Sequence, residues 1–346
     1  MKIKINNKII INKDNPPLII AEISGNHNGS KSRFLKLVKN ACKNGADLIK
    51  IQTYEPGDIT LLKKKNYLKI NHGIWKGKYL KDLYKKACTP YSWHQEAFKI
   101  AKQNKKIIFS SPFSFKGVDF LEKLKVPLYK IASFEITDLK LIDYIASKKK
   151  PIIISTGMAE IKEIQKAIKI IKKYHKKIII LHCVSNYPTD IKDTNLKRIN
   201  LLKKKFKGFS IGLSDHTNDI YTSIAAIPLG ISIIEKHFNI DNLKTSDSLF
   251  SINPRMLKSL KKISLDIHES LYKNKKNKIS KENIKFRRSL FANRNIRKNQ
   301  KILSEDVVSL RPLVGIKSEN IFKIIGKNAR KNINKDQPIF YRDLIL

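Results

Sequence analysis

Short apolar runs rich in β-branched residues alternate with longer stretches in which apolar residues recur three and four positions apart. The runs are Leu18–Ile23, Leu48–Gln52, Ile107–Ser110, Leu128–Ile131, Ile152–Ser155, Lys177–Cys183, Phe209–Leu213 and Ile231–Glu235. Near-continuous apolar character marks strands buried on both faces, as in a parallel sheet covered by helices. Ser32–Asn44 and Ile161–Lys173 carry an apolar stripe with lysines opposite, the pattern of an amphipathic helix. Phe115–Leu124, Leu139–Ala146, Leu196–Lys204 and Tyr221–Leu229 read the same way, and a last helix is expected over Pro254–Leu271. Eight strands, each leading into a helix, predict an α/β fold of the closed (β/α)8 TIM-barrel type. The rival is an open doubly wound sheet, which usually carries G-x-G-x-x-G after its first strand. That turn is Ser24-Gly-Asn-His-Asn-Gly29 here, without the spacing.

Two departures from the repeat define the domain organisation. Between the second strand and its helix lies an aromatic-rich insertion, 54–93, with Tyr67, Trp75, Tyr79, Tyr84, Tyr91 and Trp93. Its length and place suit a lid or an interface. Residues 272–287, rich in Lys and Asn, read as a linker closing a barrel domain of residues 1–271. From 288 to 346 the apolar runs are short and broken by polar turns, as in Ile302-Leu-Ser-Glu-Asp-Val-Val308, which predicts a small β-rich domain.

Composition narrows the function classes. The 346 residues carry a net charge of +42. Lysine is spread over nearly every helix face rather than clustered with aromatics, so the charge reads as a compositional bias and not as a nucleic-acid footprint. It would still steer anionic substrates inward. No run approaches the roughly 18–20 apolar residues of a membrane span, and Met1-Lys-Ile-Lys-Ile-Asn6 lacks a signal-peptide core, so a cytoplasmic protein is expected. Cys42, Cys88 and Cys183 form no C-x-x-C pair; Cys183 is either a small buried filler or a nucleophile, and the filler is the expectation.

Barrel enzymes keep their chemistry at the C-terminal ends of the strands. Those ends carry Glu22, Lys50 with Gln52, Ser110-Ser111, Lys130 with Ser133, Ser155, His182 to Asn186, Ser214-Asp-His216 and Glu235-Lys-His237. Lysines on inward strand faces need anionic partners, and serine hydroxyls donate to oxygens. Lys50, Lys130, Ser111, Ser133, Ser155 and Ser214 together predict a phosphate or phosphate-plus-carboxylate pocket. The competing reading makes each serine a helix cap. His216 and His237, on the last two strands, either share a divalent metal or form a hydrogen-bonded pair. Glu22 and Asp247 are carboxylates at the same mouth, suited to sugar hydroxyls, amides or water.

Ala21-Glu-Ile-Ser-Gly-Asn-His-Asn-Gly29, Ile49-Lys-Ile-Gln-Thr53, Ser110-Ser-Pro-Phe113, Tyr129-Lys-Ile-Ala-Ser133, Ser155-Thr-Gly-Met158, Gly212-Leu-Ser-Asp-His-Thr217 and Glu235-Lys-His-Phe238 stand in the order of the sialic acid synthase family, which the chain resembles from about residue 17 to its end. Arg288-Ser-Leu-Phe-Ala292, Ser309-Leu-Arg-Pro312 and Gly326-Lys327 look like that family's antifreeze-like (SAF) domain. Within the family, Gly73-Ile-Trp75, Leu83-Tyr84, Thr89-Pro-Tyr-Ser-Trp-His94, Lys130-Ile-Ala-Ser-Phe-Glu135 and Asp247-Ser-Leu-Phe-Ser251 are most similar to pseudaminic acid synthases.

The resemblance implies condensation of phosphoenolpyruvate with an N-acetylated amino sugar and water, releasing phosphate. For the pseudaminic branch the sugar is 2,4-diacetamido-2,4,6-trideoxy-L-altrose; N-acetylneuraminate and legionaminate synthases are the alternatives within the family. A non-enzymatic anion- or nucleic-acid-binding protein is the alternative outside it. By residue, the resemblance implies phosphoenolpyruvate on Lys50, Lys130, Ser111, Ser133, Ser155, Ser185 and Ser214, with Ser185 standing where the family commonly has Asn and Asn186 beside it. It implies Glu22, Gln52, Tyr187 and Asp247 around the acceptor and water, with Glu22 as base or water-positioning group. His216 and His237 match the ligands of a divalent metal, usually Mn2+, with Mg2+ or Co2+ as alternatives. Arg311 matches an arginine that reaches into the partner's site in a domain-swapped homodimer.

Overall fold

The computed structural model describes residues 2–5, 9–12, 14–272 and 280–345. Eight parallel strands form the barrel: β1 (Leu18–Glu22), β2 (Leu48–Thr53), β3 (Ile107–Pro112), β4 (Tyr129–Ile131), β5 (Ile152–Ser155), β6 (Ile178–Cys183), β7 (Ser210–Asp215) and β8 (Ile233–Phe238). They pair in sequence order, and β8 returns to pair with β1, which closes the sheet. The expected TIM barrel is present. Almost every strand residue is buried, so the strands read as apolar runs rather than alternating ones.

Eight main helices follow the strands: α1 (Lys31–Lys43), α2 (Tyr91–Gln103), α3 (Phe115–Lys123), α4 (Leu139–Ser147), α5 (Ile161–Lys172), α6 (Lys197–Lys205), α7 (Tyr221–Ala226) and α8 (Pro254–Tyr272). Their buried positions, such as Ile164, Ala167, Ile168 and Ile171 on α5, join the strands in one core cluster. Ile3 and Ile11, paired in a short antiparallel ladder, belong to it too.

Three boundaries differ from the sequence pattern. Strands β7 and β8 run on through Asp215 and Phe238, so most of each polar triplet lies within a strand. Buried partners for those polar side chains let strand pairing continue where apolar content stops. The insertion ends earlier than Trp93: α2 begins at Tyr91, immediately after Pro90, and its apolar period takes in Trp93, Ala97 and Ala101. Of the expected linker 272–287, Tyr272 is the last residue of α8 and Lys281–Ile284 is a short helix whose Ser280 hydroxyl accepts from Asn283 N at 3.3 Å. Residues 273–279 lie outside the described residues.

The chain divides into two compact units, Met1–Lys273 and Asn274–Leu346. The second has its own core, including Leu290, Ile302, Ile316, Ile324, Ile339 and Leu344. Short antiparallel ladders join Ser289–Ala292 to Val307–Leu310 and Asn328–Ala329 to Leu344–Ile345.

Candidate active site

Strand register decides which side chains meet. Glu22 on β1 lies opposite Lys50 on one side and His237 on the other. Alternation along β8 turns Glu235 and His237 into the barrel and Lys236 away from it. Glu235, which the sequence reading left without a role, is the hub. Its Oε1 lies 2.7 Å from Lys50 Nζ and 3.1 Å from Lys130 Nζ, and it accepts from Ser214 Oγ at 3.3 Å. Lys50 also pairs with Glu22 at 2.8 Å, and Glu22 Oε1 accepts from Ser24 N at 3.0 Å.

Electrostatics follows from this burial. Desolvation pushes Lys50 down to about 7, against the pull of Glu235. Burial alone would raise Glu235, but Lys130 and Lys50 outweigh it and hold the carboxyl well below its ordinary range. The two lysines are thus neutralised by the protein itself, a counter-ion arrangement that the sequence pattern did not reveal.

Around this centre several polar atoms lack partners. The buried hydroxyls of Ser111 and Ser155 and Glu235 Oε2 make no hydrogen bond among the described residues. Buried polar groups are normally satisfied, so such atoms mark a place where something else binds. The capping alternative for the serines fails locally. Helix α3 is capped by Ser114, which accepts from Gly117 N at 3.1 Å, and α4 by Asp138, which accepts from Leu141 N at 3.0 Å. Glu160 caps α5, with Glu163 accepting from its N–H at 2.8 Å. Ser133 Oγ instead accepts from Gly157 N at 3.0 Å. A side chain at 157 would collide with the Ser133 and Ser185 hydroxyls, so glycine there keeps the β4, β5 and β6 ends together. Gln52 stands one pleat above Lys50, opposite Ser111.

The histidine pair occupies the neighbouring side. Ring centroids of His216 and His237 are 5.3 Å apart. His216 Nδ1 donates to Val184 O at 2.8 Å, and His237 Nδ1 shares a 3.0 Å hydrogen bond with Ser24 Oγ. Neither Nε2 has a hydrogen-bond partner among the described residues. Burial, reinforced by His216, holds His237 well below the ordinary histidine range. Burial also opposes charge on His216, but the neighbouring Cys183 thiol and the Val184 carbonyl bring it above the usual value. Imidazoles fixed through Nδ1 with free Nε2 atoms fit two positions of a metal site. Among the described residues no group of three or more His, Cys, Asp or Glu side chains is arranged to hold a metal, so further ligands would come from solvent or substrate.

Asp247 completes this side. Its Oδ2 accepts from Gly25 N at 3.0 Å and lies 4.0 Å from His237 Nδ1, and burial raises its carboxyl. Tyr187 packs on His216 with centroids 4.4 Å apart. Arg311 follows the strand Val307–Leu310 in the second unit and is exposed.

Besides Glu235, no role is assigned from the sequence to Ser24, Glu135 or Phe250, and Cys183 is expected to be a filler. Ser24 holds His237 from a left-handed backbone conformation, φ 42°, rare for a non-glycine residue. Cys183 is buried as a filler would be, yet its Sγ lies 3.8 Å from His216 Nδ1. Glu135 has a buried Oε2 with no partner among the described residues, and burial pushes its carboxyl up to about 7. Phe250 packs on His237 with centroids 4.7 Å apart. Ser24, Glu135 and Cys183 share the signal of standing at or just past a strand end, and Phe250 lacks it.

Known proteins resemble this chain along most of its length. The model of the NeuB family matches residues 37–276 and that of the SAF domain residues 287–345. A pseudaminic acid synthase of Campylobacter jejuni is 40% identical, with 93% of this chain and 95% of that protein covered. One from Helicobacter pylori is 38% identical, covering 95% and 98%. The crystal structure of an N-acetylneuraminic acid (sialic acid) synthetase from Leptospira borgpetersenii, in complex with citrate, superposes with a TM-score of 0.72 at 30% identity, covering 82% of this chain and 94% of that one.

Proposed function

The chain belongs to the NeuB family, and from that footing we propose that it is a pseudaminic acid synthase. It joins phosphoenolpyruvate to 2,4-diacetamido-2,4,6-trideoxy-L-altrose, with water, giving pseudaminic acid and phosphate. The observation that carries this reading is the polar centre at the barrel mouth: two buried lysines beside the unpartnered hydroxyls of Ser111 and Ser155. Such a centre is built to receive oxygens of an anion in a dry setting, where positioned donors act strongly.

Lys50, Lys130 and the hydroxyls of Ser111, Ser133, Ser155, Ser185 and Ser214 hold the phosphate and carboxylate of phosphoenolpyruvate. Glu235 keeps both lysines in place and balances their charge before the anion arrives. Gln52, Tyr187 and Asp247 orient the open-chain acceptor so that its aldehyde carbon faces C3 of phosphoenolpyruvate. The new C–C bond forms there, and the aldehyde oxygen takes up a proton to become a hydroxyl. Water adds at C2, with Glu22 orienting it and accepting its proton. The tetrahedral product then collapses with cleavage of the C2–O bond, and inorganic phosphate leaves. A divalent metal, for which we propose Mn2+, would be held by His216 and His237 and would supply Lewis-acid polarisation of the aldehyde.

The assembly we assign is a cytoplasmic homodimer in which Arg311 from the SAF domain of one copy serves the barrel of the other. The experiment is phosphate release from phosphoenolpyruvate with each candidate acceptor, with the product identified by mass. Release with the trideoxy sugar, forming pseudaminic acid, supports the reading. Release only with N-acetylmannosamine or the legionaminic precursor would reassign the product, and no release with any acceptor would favour a binding protein.

A further inference from the structure

The insertion before α2 delivers one aromatic side chain to the catalytic wall. Within it Ile70 and Lys78 close a tight loop, with Ile70 N donating to Lys78 O and Gly77 N to Ile70 O, both at 2.8 Å. Gly73 and Gly77 sit in the left-handed region, φ 73° and 86°, so the chain turns sharply around Trp75. Trp75 Nε1 donates to Ser246 O at 3.1 Å, which anchors the indole beside Asp247. Its ring lies 5.6 Å from Tyr187 and 6.4 Å from Phe250, centroid to centroid. Those two rings pack on His216 and His237, so an unbroken aromatic wall runs from Trp75 to the histidines. Trp75 also borders a cavity of about 520 Å3, whose lining combines apolar Leu83 and Leu249 with polar Asp82, Lys86, Lys244 and Thr245.

We propose that Trp75 is a specificity-determining residue that reads the far, deoxygenated end of the acceptor sugar. The inference rests on the functional reading above. An acceptor whose aldehyde lies near the histidines extends its other end along the wall. The indole offers an apolar surface there, and its only polar atom is already engaged with Ser246. A methyl group at C6 packs well against such a surface, whereas a C6 hydroxyl laid on it is desolvated and gains no hydrogen bond from the indole.

The test compares two forms of the diacetamido hexose acceptor that differ only in the C6 hydroxyl. Wild-type protein is expected to prefer the 6-deoxy form by about tenfold or more in kcat/KM. Trp75→Ala is expected to reduce that preference to about twofold, mainly through a higher KM for the 6-deoxy sugar, with the KM for phosphoenolpyruvate moving little. Trp75→Phe, which keeps an aromatic face, is expected to retain most of the preference. An unchanged preference in a folded Trp75→Ala variant overturns the inference while leaving the functional reading standing. A wild type that turns over neither sugar overturns both.

Discussion

Two buried lysine–carboxylate clusters lie back to back on β8. Inside the barrel, Glu235 holds Lys50 and Lys130; behind it, Lys236 meets Asp215 at 3.3 Å. The outer cluster is satisfied. Asp215 accepts from Thr217 N at 2.9 Å, Thr217 Oγ1 at 2.8 Å and Ser223 Oγ at 2.6 Å, and Lys236 donates to Thr217 O at 2.6 Å. The inner cluster is not: Glu235 Oε2 and the hydroxyls of Ser111 and Ser155 are buried without partners among the described residues. Equal burial and equal residue types therefore do not make equal roles. The completed network ties the ends of β7 and β8 to α7, whereas the incomplete one is shaped for a guest.

The largest effect that sharpens this contrast is on the inner side. Lys130→Ala removes a buried cation but leaves Glu235 paired with Lys50. Catalytic efficiency with phosphoenolpyruvate is expected to fall about 10^3-fold, the scale of losing one preorganised donor to developing charge. The urea midpoint is expected to change little. Steady-state kinetics and unfolding on the same preparation check both, and a stability loss matching the outer cluster's would break the distinction.

Asp215→Asn tests the outer side. It leaves Lys236 buried without its counter-ion, which costs about 3–5 kcal/mol in unfolding free energy. Lys236→Met combined with Asp215→Asn is expected to recover much of that loss, since no unpaired charge then remains. Chemical denaturation of the three variants checks the cycle. Phosphoenolpyruvate binding by the folded fraction is expected to stay within about threefold of wild type, because neither side chain faces the anion pocket.

Histidines extend the comparison. His27 and His94 are fixed at the insertion's far end, by Ala87 O at 3.2 Å and Pro90 O at 3.1 Å respectively. Burial pushes each down to about 4 from 6.5. The folded state therefore binds fewer protons than the unfolded chain between these values. Stability is complete above pH 6.5 and is lost as pH falls toward 4, by about 1.4 kcal/mol per pH unit for each histidine. At pH 5 the loss is expected to reach about 2 kcal/mol per histidine, read from urea midpoints at pH 7.5 and 5. His94→Asn, if it folds, is expected to remove about 2 kcal/mol of this pH dependence.

Periodicity and strand-end position made the barrel and the histidines, lysines and serines legible in the sequence. Glu235 stayed unexplained because its role depends on two partners from distant strands, 185 and 105 residues away in the chain. Apolar content also cut β7 and β8 short, since a one-dimensional pattern cannot show that Asp215 and Lys236 satisfy one another. Trp75 was visible only as one aromatic among many in the insertion. What placed it at the wall is the tight loop between Ile70 and Lys78, a backbone pairing that no side-chain pattern announces.

The smallest predicted effect separates the clusters by sign. Ser155 Oγ is buried and has no partner among the described residues. Leaving a hydroxyl dry and unbonded costs about 1–3 kcal/mol, so Ser155→Ala is expected to hold or slightly raise the urea midpoint. The same change removes a donor to the anion, and phosphoenolpyruvate affinity is expected to weaken about tenfold, near 1.4 kcal/mol. Ser223→Ala behind the barrel has the opposite signature, because it strips a 2.6 Å bond from buried Asp215. It is expected to lower stability by about 1–3 kcal/mol and leave anion affinity unchanged. Isothermal titration with phosphoenolpyruvate, paired with unfolding of each variant, reads both signs. Ser155→Ala losing stability like Ser223→Ala, with affinity intact, would make the inner hydroxyls structural and dissolve the contrast.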